Sequence, residues 1–174
     1  MEGYSSTAKW FHWITAGLLF VALPTGFVIQ HLTDESKGAF YAIHQNAGFT
    51  ILIVAALRLF WRVRNPVPLD PALPAPLRIA ATAVHHLLYV ALILQPVLGF
   101  FTTNAYGFPQ AGDTAYLGLI DFPKFMEANE GVGNTLLMLH TWLGWTIVAL
   151  LCLHVAAVIF HQAIRKDGTL LRMI

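Results

Sequence analysis

Four stretches, roughly 8–30, 38–61, 78–103 and 132–163, are apolar over twenty residues or more, and these recurring lengths constrain the fold more than any other property of the chain. At about 1.5 Å rise per residue, each is long enough as a helix to cross a hydrocarbon layer of about 30 Å. Inside such a layer every backbone N–H and C=O must find its partner within the protein, and an apolar segment of this length does so as an α-helix. The expected architecture is therefore an all-α membrane protein, a bundle of four transmembrane helices forming one domain over residues 1–174. Composition agrees, since 57% of residues are hydrophobic and only 11% charged, too few charges for an ordinary soluble domain. No basic run interleaved with aromatics is present, so nucleic acid is not among the expected partners. The first run, Trp10 to Ile29, could be misread as a secretory signal, but its length and the lack of a small-x-small cleavage site after it favour a span.

The expected connections are a polar turn from Thr33 to Gly38, a proline-rich link from Asn65 to Pro76, and a long loop from Asn104 to Gly131. Four spans put both termini and the proline-rich link on one side, together with Lys9, Arg58, Arg62, Arg64, Arg78, Arg165, Lys166 and Arg172, eight of the ten Lys and Arg residues. Basic residues collect on the cytoplasmic side of membrane proteins, so both termini are expected there. The opposite side holds Asp34, Glu35, Asp113, Asp121, Glu127 and Glu130 against Lys37 and Lys124, and is acidic. In a bacterium that side faces the periplasm.

Ionisable residues inside a membrane are costly and usually functional, which directs attention to the histidines. His140 and His154 lie fourteen positions apart on the fourth span. Fourteen steps of 100° leave them about 40° apart on one face, separated by about 21 Å along the axis. Topology then matches them with partners by depth: His12 with His154 near the cytoplasm, and His44 with His140 near the periplasm. Two such pairs across facing helices are what two b-type haems with bis-histidine iron require. Covalent attachment is excluded, because the single cysteine, Cys152, belongs to no C-x-x-C-H motif. Zinc fits less well, since the spans lack the cysteine and acidic ligands that often complete its sites.

Small residues one turn beyond three of these histidines, Ala16, Gly48 and Gly144, leave room for a flat macrocycle, or alternatively serve close helix packing. Arg58 shares the face of His44 at cytoplasmic depth, where it either pairs with a haem propionate or snorkels to the interface. Arg62 and Arg64 suit orientation and contact with anionic membrane lipid. His161, seven residues past His154, reads as a proton-carrying group beside a quinone headgroup or as a surface histidine at a helix end. His85 and His86 lie at cytoplasmic depth on the third span, one placed to face the bundle, and as an axial ligand either would compete with His12. His31 reads as a solvated loop residue.

These residues resemble the bacterial cytochrome b561 family over essentially the whole chain. The matching stretches are Lys9-Trp10-Phe11-His12-Trp13, His44 through Arg58-Leu59-Phe60-Trp61-Arg62, His85-His86-Leu87-Leu88-Tyr89 with Gln95-Pro96-Val97-Leu98-Gly99, His140 to His154, and Lys166-Asp167-Gly168-Thr169-Leu170-Leu171-Arg172-Met173. The resemblance implies a di-haem cytochrome of the bacterial inner membrane that exchanges electrons with ubiquinone. One branch resembles superoxide oxidase, which takes an electron from superoxide at the periplasmic haem and reduces quinone near the cytoplasmic one. Carried over to this chain, the axial ligands are His12, His44, His140 and His154, and His161 lies at the quinone pocket. Superoxide is an anion, so an acidic periplasmic side opposes its approach unless Lys37 and Lys124 provide a local positive funnel. The alternative is an electron-relay subunit docked to a separate dehydrogenase or hydrogenase, with loop 104–131 as the partner surface.

Overall fold

The structure, a computed structural model, describes residues 3–68 and 73–174. It contains four long helices, α1 (Ser6–Ile29), α2 (Asp34–Arg64), α3 (Ala75–Ala105) and α4 (Glu130–Ile159), and no strands among the described residues. All four are long and apolar enough to cross a membrane. Helix α2 starts four residues earlier than the polar composition of its first turn implies. Thr33, in extended conformation, accepts backbone bonds from Ser36 and Lys37, so the expected turn forms the first turn of the helix. Residues 69–72 of the proline-rich link lie outside the described residues.

Helix α1 packs mainly on α2, and α3 on α4, with α2 against α3 joining the two hairpins. Large apolar side chains such as Phe20, Val63, Ile79 and Trp142 point outward, which is stable only where the surrounding medium is itself apolar. The interior is correspondingly thin. Leu19, Ala22, Ala47, Ile51, Ala55, Ala91, Leu92 and Ile147 form its buried centre, and the alanines let backbones approach closely. Ile51 lies midway between His44 and Arg58 on α2, and Ile147 midway between His140 and His154 on α4, so this plug separates two levels of polar residues.

The two ends of the bundle are built differently. At the terminal end, α4 passes into a π-helical turn, Phe160–Arg165, and the chain reverses through left-handed Lys166 and Gly168. The last residues then lie on α1: Lys9 Nζ donates to the Ile174 carbonyl at 2.6 Å, Trp13 Nε1 to that of Met173 at 3.0 Å, and the Tyr4 amide to that of Arg172 at 3.1 Å. At the loop end, residues 106–129 form an ordered cap with a short helical turn, Gly112–Thr114, and a bridge between Tyr116 and Ile120. Asn46 on α2 pins the cap, its Oδ1 accepting from the Leu117 amide and its Nδ2 donating to the Ala115 carbonyl. The cap's rings Tyr116, Phe122 and Phe125 pack against Phe49 of α2 and Phe100 of α3.

Candidate haem sites

Histidines face each other at both levels of the bundle. The ring centres of His44 and His140 are 6.0 Å apart at the loop end, and those of His12 and His154 are 6.3 Å apart at the terminal end. Two imidazoles on one metal ion, each at about 2 Å with about 1.1 Å more from nitrogen to ring centre, have centres about 6.2 Å apart. Both pairs fit that requirement.

The loop-end pair is held by a device that occurs twice. His44 Nδ1 is 2.9 Å from the Ala22 carbonyl oxygen on α1, and a Cβ built on Gly26, four residues later, would lie 2.6 Å from His44 Cε1. His140 Nδ1 is 3.0 Å from the Gln95 carbonyl on α3, and a Cβ on Gly99, again four residues later, would lie 2.9 Å from His140 Cε1. A helical carbonyl has a second lone pair, normally screened by the side chain one turn on. Glycine at that position opens the carbonyl to an incoming ring. Each carbonyl fixes a proton on Nδ1 and leaves Nε2 to bind a metal, the usual outer-shell arrangement for ligating histidine. Thr25 Oγ1, 3.5 Å from His44 Nδ1, adds a weaker contact.

These rings border a cavity of about 380 Å³, within the size range of cofactor sites, about 300–1,000 Å³. Gly48 and Gly144, the glycines expected to make room, both line it. A Cβ on Gly48 would meet nothing within 4 Å, whereas one on Gly144 would come 3.3 Å from Gln95 Nε2. Gln95 also reaches His140, its Nε2 lying 3.0 Å from the His140 carbonyl and 3.3 Å from Nε2.

The terminal-end pair is held otherwise. Arg58 Nη2 donates to His12 Nδ1 at 3.0 Å while its guanidinium lies over the Tyr89 ring. Guanidinium has only donors, so His12 carries its ring proton on Nε2 in this arrangement. Ligation through Nε2 requires the proton on Nδ1 and Arg58 turned to another acceptor. His85, whose ring centre is 5.4 Å from that of His154, also faces this site.

His161 lies within the π-helical turn, which alters its bearing from that of a regular helix two turns past His154. It is largely buried, and its Nδ1 is 2.6 Å from Asp167 Oδ2. The same carboxylate accepts from Arg165 Nε at 2.9 Å and from both the amide and hydroxyl of Thr169. Burial pushes the Asp167 carboxyl up, but the bonds from Thr169, His161 and Arg165 outweigh it and hold it well below the usual carboxylate range. On the loop side, Lys37 borders the cavity, while Lys124 is paired with Glu127 at 2.9 Å.

Sequence reasoning did not assign roles to Gly26, Gly99 or the carbonyls of Ala22 and Gln95. A signal was present: Pro24 with Gly26 and Pro96 with Gly99 interrupt apolar spans that otherwise favour regular helix.

Four membrane-length helices with histidines facing across the bundle define a class, the membrane-embedded b-type cytochromes. The sequence model for prokaryotic cytochrome b561 matches residues 3–174. The chain belongs to that family, and is a multi-pass membrane protein of electron transfer with b-type haem. It is 32% identical to cytochrome b561 homolog 1 of Escherichia coli strain K12, over 99% of this chain and 97% of that one. Identity to cytochrome b561 homolog 2 of the same organism is 28%, over 99% and 92%. It is 27% identical to the probable superoxide oxidase CybB of Yersinia pestis, over 98% of this chain and 94% of that protein.

Proposed function

We propose that this chain is a di-haem, superoxide:ubiquinone oxidoreductase of the bacterial inner membrane, with both termini in the cytoplasm and the cap in the periplasm. The observation that carries the reading is the two facing histidine pairs, 6.0 and 6.3 Å between ring centres, at opposite ends of one bundle. His44 and His140 hold the periplasmic haem, with Gly48 and Gly144 giving it room. His12 and His154 hold the cytoplasmic haem, and Arg58 is the cation for one of its carboxylates. When bound, the haems supply reversible one-electron chemistry at iron. Because each iron would be held by two of these histidines, the donor would not bind it directly.

Two superoxide ions lose one electron each and leave as O2, and the two electrons with two cytoplasmic protons convert ubiquinone to ubiquinol. His161 supplies a proton at the quinone, its other ring nitrogen being held by Asp167. Lys37, which lines the periplasmic cavity, is the cation placed to draw superoxide in. A second reading, a relay subunit docked to a dehydrogenase or hydrogenase, is favoured by one feature. The acidic cap exposes the large apolar side chains Phe108, Leu117, Leu119 and Ile120, of the kind that protein interfaces cover.

Stopped-flow mixing of the purified chain with superoxide, with and without ubiquinone, separates the two. Haem reduction by superoxide followed by quinone-dependent reoxidation is expected. Inertness of the isolated chain, relieved only by a partner complex, refutes the enzyme reading.

A further inference from the structure

The cavity beside His44 and His140 is amphipathic along its length. Leu19, Ile51, Leu92 and Ile147 wall its inner end, while its outer rim carries Gln30, Lys37, Tyr106 and Gln110. Gln110 is only 3% exposed, and its Nε2 has no hydrogen-bond partner. Its backbone is fixed, because the Gln110 carbonyl accepts from the Phe122 amide at 3.0 Å and Phe122 packs against Phe49 and Phe100. The segment that carries the side chain is thereby held in place. A buried donor left unpaired destabilises a protein, so such a group calls for an acceptor that the protein itself does not provide.

The acceptor must suit its surroundings. It lies at the polar rim of an apolar slot, and so is an oxygen attached to a largely apolar body. A haem carboxylate meets both conditions when the apolar edge of the macrocycle points to the bundle centre. We infer that Gln110 donates its Nε2–H to a carboxylate of the haem at the loop end, on a rim shared with Lys37. The inference rests on the proposal that His44 and His140 hold that haem, and it adds a third anchoring group, contributed by the cap. It ties cap to cofactor: the connection between α3 and α4 closes over the haem and also grips it.

The test follows haem transfer from the purified holoprotein to excess apomyoglobin. The loop-end haem is the kinetic phase missing in His44→Ala. Gln110→Leu is expected to speed that phase about tenfold, the size of one hydrogen bond to a charged acceptor, and to leave the other phase unchanged. With haem dimethyl ester, whose neutral carbonyls accept only a weaker hydrogen bond, the gap between wild type and Gln110→Leu should narrow. Equal rates with ordinary haem, or the same tenfold gap with the ester, overturn the inference. If Leu disturbs both phases, Gln110→Glu decides by placing a second carboxylate on the rim. Selective acceleration of the loop-end phase beyond that of Leu supports the inference, and a wild-type rate overturns it. Should Gln110 serve a small anion from the aqueous phase, Gln110→Leu slows donor oxidation without changing haem loss, which also overturns it. Failure of the underlying proposal reads differently: His44→Ala would then lose no phase.

Discussion

Replacing Gly26 or Gly99 by alanine tests the repeated carbonyl-and-glycine device directly. An added methyl would lie 2.6 Å from His44 Cε1 or 2.9 Å from His140 Cε1. Ordinary carbon contacts begin near 3.5 Å, so the rings must retreat by about 0.9 and 0.6 Å. Each ring is tethered to the same helix that pushes it, His44 at 2.9 Å from the Ala22 carbonyl and His140 at 3.0 Å from that of Gln95. Retreat stretches either bond to about 3.6 Å or more, beyond useful range. Losing a buried hydrogen bond this way costs about 1–3 kcal/mol, or about five- to 150-fold in retention of the loop-end haem. Haem counting by pyridine haemochrome with a redox titration should show the loop-end component weakened or lost and the terminal-end component intact. Gly17→Ala is the control, since a Cβ there meets nothing within 4 Å. Two haems retained at unchanged potentials in Gly26→Ala would refute the argument.

Other outcomes follow from the same geometry. Each of His12→Ala, His44→Ala, His140→Ala and His154→Ala should remove one haem, with His12 and His154 losing one spectral component and His44 and His140 the other; His85→Ala retaining both would exclude His85 as a ligand. Asp167, whose carboxyl is held below the usual range, stabilises the C-terminal turn when ionised. That contribution is complete above the ordinary carboxylate pKa of about 4 and fades as pH falls through the lower folded value. Amide protection over residues 160–174, corrected for the intrinsic pH dependence of exchange, should therefore fall on acidification below about pH 4. Asp167→Asn should show the lower protection already at neutral pH, by an amount near 1 kcal/mol once solvent screening is allowed for.

Much of this was readable from the chain. Apolar lengths gave four helices because a membrane leaves the backbone few alternatives, and helical arithmetic on His140 and His154, with topology, matched each to the helix it faces. What sequence could not supply was contact between helices. The carbonyls of Ala22 and Gln95 belong to no side chain, and their use depends on which glycine lies opposite which ring. Arg58 appeared at the right depth, but its hydrogen bond to His12 depends on how α1 lies against α2. His161 was placed by counting regular turns, which the π-helical turn interrupts; its bond to Asp167 depends on the chain reversal that follows.

Helix α4 carries His140 and His154 on one continuous rod. However far lipids of different thickness tilt the bundle, the spacing of these two side chains along the axis is fixed by helical rise. Electron hopping slows steeply as a gap widens, so its pace would be sensitive to any looseness between two independently mounted centres. If His140 and His154 each hold a haem as proposed, that distance would be set by a single strut, and disturbances of packing would alter the angle of approach more than the length of the jump.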